Sequence, residues 1–395
     1  MENVSGVPFE AYVDREILQP AGMTRSSFDT TLVPGHGASL GYRTGEVSRI
    51  YGIRDVPAAG LNTSAVDLAR FLHVVFAGGR SNGSRIIGTG TLDQMLTVQN
   101  SDVVLDFDLH TGLGWMLSSL GDIDIRGAGT VAHHSGRTLA FNSQIIALPR
   151  EQLGVVVLAN STEARQAVDT IATAVLTRAL EAKTGRPPDE WPASTIRADS
   201  AIAPIEPGPY ATLAGLVSVE TQGDSIRADA FGRSFRLNPR SDGRYGLGYR
   251  VLGIVPVNLG ELGDIGFSVR DVQSRRVLTA ERHGREIYAG ERIPDSRPIP
   301  ESWILRTGSY RIADPGGDAP LLRDIRLAVV QGVLAIQYKT QFSAEMVITT
   351  PLVAISDDEA IVPGLGRGAG ERISVVRTAD GGALSYSGYL LIEEH

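Results

Sequence analysis

No apolar stripe at helical spacing after residue 184 is long enough to make a long helix. Short alternating runs follow one another instead: LAGLVSVE (213–220), RYGLGYRVL (244–252), DIGFSVR (264–270), SWILRTGSYRIAD (302–314), IRLAVVQGVLAIQYK (325–339), AEMVITTPLVAI (344–355) and RISVVRT (372–378). Turn pairs such as Asp242-Gly243, Gln331-Gly332 and Asp380-Gly381 separate or border them. Strict alternation puts every second side chain on one face of a strand. Many short strands joined by tight turns must close a sheet or pack two sheets together. Two compact β-domains are expected, near 205–298 and 302–395. PYATLAGLVSVE and LRTGSYRIADP open them with a faint internal repeat.

The half before this point is different. TGRPPDEWPASTIRADSAIAPIEPGP (184–209) has five prolines before Pro209 and reads as a linker over 184–204. Upstream, Phe9, Tyr12, Val13, Glu16 and Ile17 share one face of a helix expected over 8–19, and the turn PAGM (20–23) follows. Ser64 and Asp67 make a capping box ahead of Leu68, Phe71, Leu72, Val75 and Phe76, and Gly78-Gly79 ends that helix. A shorter helix is expected over 91–98, and TGLGWML (111–117) reads as a strand. Three antiparallel strands are expected at 130–135, 140–148 and 153–159. A helix over 163–182 follows, packed through Ala164, Val168, Ile171, Val175 and Ala179. Sheet plus long helix makes an α/β sandwich of residues 1–183.

Composition narrows the function. A chain of 395 residues with 42% hydrophobic content can fill two or three cores. The formal charge of -8 argues against a broad nucleic-acid surface. There is no cysteine, which rules out disulfides, thiolate catalysis and Cys-ligated metal. No 18-residue apolar run is present, so no membrane span is expected.

The segment HHSG (133–136) is the best candidate for chemistry. A histidine beside small residues at a strand edge can donate to a carboxylate or a transition-state oxygen. Ser135 and Gly136 leave room for a ligand along the backbone, whose N–H groups can polarise a carbonyl. A structural histidine at a tight turn is the plain alternative. His133 and His134 must face opposite ways, so one of them at most lines a pocket. Adjacent strand histidines are poor joint metal ligands, and no cofactor is implied. Ser135 is a poor nucleophile because His134 points to the other face. No G-x-S-x-G elbow occurs, nor any Ser-x-x-Lys in residues 1–180. Arg137 either binds an anion near His134 or pairs with a surface carboxylate. Asp102, Asp106 and Asp108 could be paired carboxylates but read rather as a solvated loop, and Trp115 could line a cleft but reads rather as core. Tyr42 and Tyr51 wall a pocket or simply sit in turns. His283-Gly284 reads as a β-turn, and Lys339 as a solvated strand end.

Four segments taken together resemble one family. They are VSGVPFEAYVDREILQPAGMTRSSF (4–28), GLNTSAVDLARFL (60–72), TGLGWML (111–117) and VAHHSGRTLAFNSQIIALPREQLGVVVLANS (131–161). In order and spacing they resemble the C-terminal part of the penicillin-recognising serine hydrolases. That family includes class C β-lactamases, D-alanyl-D-alanine carboxypeptidases, esterases and D-aminopeptidases. The second half is similar to the lipocalin-like barrels that follow the catalytic domain in the D-aminopeptidase branch.

The resemblance implies an α+β chain: a partial beta-lactamase-like antiparallel sheet flanked by helices (1–183), then two small antiparallel β-barrel domains. It places His134, Ser135 and Gly136 at the family's third motif, on the cleft wall beside the substrate carboxylate. Arg137 and Ala140 stand where the family often has glycine, which narrows that wall. The implied chemistry is acyl transfer through a serine to water, on amide or ester bonds of small peptide-like substrates. Ser-x-x-Lys and the tyrosine motif would lie upstream of this chain. The 395 residues alone are therefore expected to be inactive. They are also expected to associate with another copy or with a separately encoded N-terminal half. The implied parent is periplasmic or secreted, with the cytoplasm also open. The alternative is a non-catalytic binding or scaffold protein whose barrels carry the function. An apolar pocket with convergent polar groups in 205–298 or 302–395 would favour it.

Overall fold

The computed structural model describes residues 1–29, 37–48, 53, 55–117, 123–187, 203–223, 225–251, 255–257, 259–294, 298–313, 322–340, 346–365, 369–378 and 381–394. Tyr51, Asp380 and residues 188–202 of the proline-rich segment lie outside the described residues. The chain forms two compact units, Met1–Pro192 and Ala193–Gly316 with Pro320–His395.

In the first unit, helix α1 (Phe9–Val13) runs directly into a π-helical turn over Asp14–Leu18. The wider turn shifts the helical phase. Leu18 is therefore the fully buried residue, while Ile17 is half-buried and Glu16 exposed. Leu18 packs with Ala21 and Met23 of the PAGM turn and with Val74.

Val74 belongs to α2 (Ala65–Phe76), whose N-cap Ser64 accepts the Asp67 N–H. The expected stripe supplies Leu72 and Val75 to the core, and Leu68, Phe71 and Phe76 are half-buried. Val74 is buried as well, because α2 packs on a second side against the π turn. Helix α3 (Thr89–Met95) starts and stops earlier than expected. Residues 111–117 form no strand. Thr111 and Met116 bridge each other, and Met116 exchanges both backbone bonds with His133.

Strands β1 (Ala132–Arg137), β2 (Asn142–Leu148) and β3 (Leu153–Ala159) form an antiparallel sheet in that order. One face carries Ile146, Leu148, Val155 and Val157 against Ala172, Leu176 and Leu180 of α4 (Arg165–Thr184). The other carries Ala132, Ala147, Ile145 and Val156 against Leu72, Val75 and Leu92 of the smaller helices and against Trp115. This is the expected sandwich, and Trp115 is core, stacked on Phe71 at 6.4 Å. Gly154 sets how closely α2 approaches. A Cβ there would lie 2.9 Å from Leu72 Cδ1 and 3.1 Å from Phe76 Cζ.

The packed side of α4 needs correcting. It is Val168, Ala172, Leu176 and Leu180, at uniform four-residue spacing. Ile171 and Val175 are each 50% exposed. The helix has two apolar rows, and only tertiary packing selects between them.

The second unit contains two closed antiparallel barrels of eight strands each. The first comprises β4 (Gly208–Thr212), β5 (Gly215–Gln222), β6 (Ser225–Ala230), β7 (Arg233–Pro239), β8 (Tyr245–Val251), β9 (Gly266–Val272), β10 (Arg275–Arg282) and β11 (Arg285–Arg292). The order β7-β6-β5-β4-β11-β10-β9-β8 returns to β7 through the β7–β8 pairing. Its filling includes Tyr210, Val219, Ala228, Leu237 and Val269, one from each of five strands. On the opposite face of β9 to β11, buried Arg270 bonds Glu286, which also accepts from Thr279. His283 and Gly284, at φ 53° and 77°, form the expected tight turn between β10 and β11.

The second barrel comprises β12 (Gly308–Ile312), β13 (Leu322–Val330), β14 (Val333–Thr340), β15 (Val347–Ala354), β16 (Glu359–Ile361), β17 (Arg372–Thr378), β18 (Gly381–Tyr386) and β19 (Tyr389–Glu393). It closes in chain order through β12–β19. The start of SWILRTGSYRIAD is not a strand. Glu301–Ile304 is a helical turn that buries Trp303 completely, with its indole N–H donating to Ser356 O at 2.7 Å. Lys339 is not merely solvated, since it pairs with Asp324 at 3.1 Å.

The faint repeat has a physical basis. Tyr210 and Tyr310 are each the third residue of their barrel's first strand. Each donates its hydroxyl to the carbonyl four residues earlier, Tyr210 to Glu206 O at 2.9 Å and Tyr310 to Arg306 O at 2.7 Å. No helix among the described residues is long and apolar enough to cross a membrane.

Candidate active site

The end of β1 holds the four candidate residues. Its register against β2 pairs His134 with Ile145, Ser135 with Gln144, Gly136 with Ser143 and Arg137 with Asn142. The alternation sorts their side chains. His134 and Gly136 lie on the α2 side of the sheet, and His133, Ser135 and Arg137 on the α4 side. The strand therefore does not bring the His134 and Ser135 side chains together. His133 is buried and His134 exposed, the division expected of neighbours in a strand.

His133 uses its outward peptide groups on Met116. Two residues on, the peptide groups of Ser135 point to the same edge. Among the described residues no strand pairs with that edge beyond His133. A ligand can thus approach Ser135 along the backbone.

His134 Nδ1 lies 2.8 Å from Ser135 O. A carbonyl only accepts, so in the neutral ring Nδ1 carries the proton and Nε2 presents a lone pair. Neutral His134 therefore offers an acceptor outward, and it can donate outward only as imidazolium. Gly136 offers no free space on its side-chain face, because a Cβ there would meet Ser143 Oγ at 2.4 Å. Ser143 Oγ itself donates to Gly136 O at 3.3 Å.

Arg137 stands close to Arg165, at the first turn of α4. Burial, and then the Arg165 charge, hold its guanidinium below its usual value. Two cations beside a helix N-terminus make a field that favours an anion. The corner beside them is built by side chains. Asn142, buried at the start of β2, donates to Ser161 O at 2.7 Å and Thr162 O at 3.1 Å. Thr162 Oγ1 donates to Leu139 O at 2.5 Å. Tyr42 enters by its backbone, bonding Asn160 O at 2.8 Å. Ala140 packs against Gly41, where a Cβ would come within 2.6 Å of it.

Asp102, Asp106 and Asp108 do not form a paired-carboxylate site. Asp106 accepts from Asn100, which also bonds Leu109 O and Thr111 N and so holds the loop. Among the described residues no three His, Asp or Glu gather as metal ligands. Sequence reasoning missed Asn142, Arg165 and the carboxylate of Asp67. Asn142 had a legible signal, a polar residue opening an otherwise apolar strand. Arg165 had none.

The family model described as beta-lactamase matches residues 1–179. Residues 1–179 belong to the beta-lactamase family. The beta-lactamase segment is thus the first unit's sheet and helices, with β1 to β3 and most of α4 inside it. Among solved structures, the octameric penicillin-binding protein homologue from Pyrococcus abyssi is 21% identical at a TM-score of 0.39, covering 73% of this chain and 61% of that one. SurE is 20% identical at 0.48, covering 74% and 65%. A class C beta-lactamase is 19% identical at 0.35, covering 44% and 52%. The chain spans less than two thirds of the length of each.

Proposed function

We propose that the open edge of β1 is one wall of an acyl-transfer cleft in a serine hydrolase. Its substrates would be amides or esters of small peptide-like molecules, of the D-aminopeptidase or D-alanyl carboxypeptidase type. The single observation that supports this reading is the β1 edge at Ser135, which no strand among the described residues pairs, within a segment of the beta-lactamase family. Substrate would lie along Ser135 and Gly136 beneath His134, with Arg137 taking a carboxylate from the α4 side. The attacking serine and its lysine would come from a Ser-x-x-Lys segment, which the 395 residues do not contain. The domain bounds 1–183, 205–298 and 302–395 belong to the same proposal.

The test has two steps. The purified chain is assayed with p-nitrophenyl acetate, nitrocefin and D-alanine p-nitroanilide. No turnover is expected, and serine-dependent turnover would sink the claim that the nucleophile lies elsewhere. The DNA upstream is then read for an in-frame Ser-x-x-Lys, and the extended protein is assayed. In it, Arg137→Ala should raise KM for carboxylate-bearing substrates about tenfold with little change in kcat. An inactive extended protein would end the hydrolase reading.

The same proposal covers self-association. Among the described residues β3 has no strand on its outer edge. Leu158 on that strand is 38% exposed, and α4 shows Ile171 and Val175. Unpaired edges and exposed apolar rows favour pairing between copies. Sedimentation velocity should show a concentration-dependent species larger than 42.1 kDa, reduced by Ile171→Lys with Val175→Glu. A monomer at every concentration would refute it.

A further inference from the structure

The second unit contains a cavity of about 380 Å³ that the hydrolase reading does not use. It lies at one end of the second barrel. Its inner wall is formed by residues that line the barrel's own core, among them Tyr338, Val362 and Tyr386. The β4–β5 turn of the first barrel, at Leu213 and Ala214, forms part of the opposite wall. The two barrels meet beside it through Ala211 and Leu216 against Val330, Val333 and Val353. At ~30 Å³ per water the space holds about a dozen waters, which places it in the range of small-molecule sites.

The polar groups inside are of one kind. Tyr338 and Thr350 hydroxyls lie 3.2 Å apart, and the buried Tyr386 hydroxyl bonds both. Hydroxyl hydrogens used within such a cluster leave oxygen lone pairs facing the space. The only charged side chain among the described lining residues is Glu371. Among the described lining residues the cavity is therefore rich in acceptor oxygens, with one negative charge and no cation. Burial first, and then the neighbouring Tyr338 and Glu371, push the Tyr386 hydroxyl well above the usual tyrosine value. It therefore remains a neutral hydroxyl at physiological pH.

The mouth is apolar. Leu213, Phe231 and Met346 line it at 56%, 39% and 40% exposure, among the more exposed large apolar side chains of the unit. Large apolar side chains left in water around a concave site mark a surface that gains by being covered.

We infer that this cavity binds a small primary amine with an apolar, ring-sized body. Its ammonium would be held by Glu371 and the Tyr338–Thr350–Tyr386 hydroxyls, and its body by Leu213, Phe231 and Met346. Three N–H donors and a positive charge match a floor of hydroxyl oxygens with one carboxylate. An anionic ligand would meet Glu371 with no cation among the described lining residues to offset it. A neutral alcohol would leave that carboxylate desolvated without an ionic partner. The site belongs to the second unit, whereas the proposed acyl-transfer cleft belongs to the first, and it fits the binding role considered as the alternative for the barrels. Either reading can fail without the other.

The test is calorimetric titration of the full chain with three probes of one shape: phenethylamine, 2-phenylethanol and 3-phenylpropionate. Phenethylamine should bind saturably at one site. The alcohol should bind about tenfold more weakly, and the carboxylate not measurably. Glu371→Gln should weaken phenethylamine about tenfold and leave the alcohol unchanged. Leu213→Lys, at an exposed rim position that should tolerate the change, should also weaken the amine by repulsion. Melting curves of both variants should stay two-state. Absence of saturable phenethylamine binding to the parent chain would overturn the inference. So would a folded Glu371→Gln or Leu213→Lys variant that binds the amine as tightly as the parent, or equal binding of the carboxylate.

Discussion

Asp67 shows how one residue can look local in sequence and act at long range. Ser64 and Asp67 are legible as a cap because they stand three apart before an apolar stripe. Half of that box forms, through the Asp67 N–H. The carboxylate turns instead to Arg25 N at 2.7 Å, Ser26 Oγ at 2.9 Å and Arg70 Nη1 at 2.5 Å. Those groups tie the segment after PAGM to α2, a link that no local spacing reveals. Burial raises the Asp67 carboxyl, but the bonds from Ser26, Arg25 and Arg70 outweigh it and hold the carboxyl below its usual value. A lowered folded-state value stabilises above the unfolded-state pKa, ~3.9, and that stability is lost as pH falls through the folded value. Asp67→Asn should therefore cost about 2 kcal/mol at pH 7 in urea unfolding. The difference from the parent should shrink below about pH 4. An equal gap at pH 3 and pH 7 would show that the charge is not the cause. The sides taken by His133 and His134 were legible for a simpler reason, since a strand has a period of two.

Periodicity identified helices and strands better than it identified which of their faces is buried. The β2 and β3 runs are apolar enough to be read directly, and both appear close to the expected bounds. In α4 the rows through Val168 and through Ile171 are equally apolar in sequence. Contact with Ile146 and Leu148 of the sheet decides for the first. The π turn after α1 could not be read, because one extra residue in a turn leaves no mark in composition. Gly154 governs the α2–sheet spacing, and its importance comes only from what lies above it. Gly154→Val should destabilise by about 1–3 kcal/mol, with Leu72 and Phe76 forced apart. Chemical denaturation would check this, and Gly129→Val, at an exposed loop position, serves as the comparison. Equal small effects at both positions would show that α2 is not held where the structure places it.

For the whole molecule, the two-barrel plan was readable from the strand runs, but half the strands were not. SIRADA and RSFRLNP in the first barrel alternate but carry few large apolar residues, and REIYAGER puts the polar Glu286 at a buried position, so none of the three stands out as an apolar run. The barrels should fail together at high pH. Burial first, helped by Glu291 and Glu393 respectively, pushes Tyr288 and Tyr310 up to about 12. A raised value stabilises fully below the unfolded-state pKa near ~10, and that stability is lost as pH rises through about 12. Absorbance at 295 nm should show these tyrosines ionising late, together with loss of strand signal in circular dichroism. Complete tyrosine ionisation by pH 10 with the strands intact would contradict this.

The second barrel closes by laying its last strand against its first, with Tyr310 opposite Glu393. Where such a ring is cut into a linear chain is then a matter of genetic bookkeeping rather than of architecture. A short peptide could join the two ends, and new ends could open at an exposed turn such as Gln331-Gly332, giving a circular permutant with the same wall.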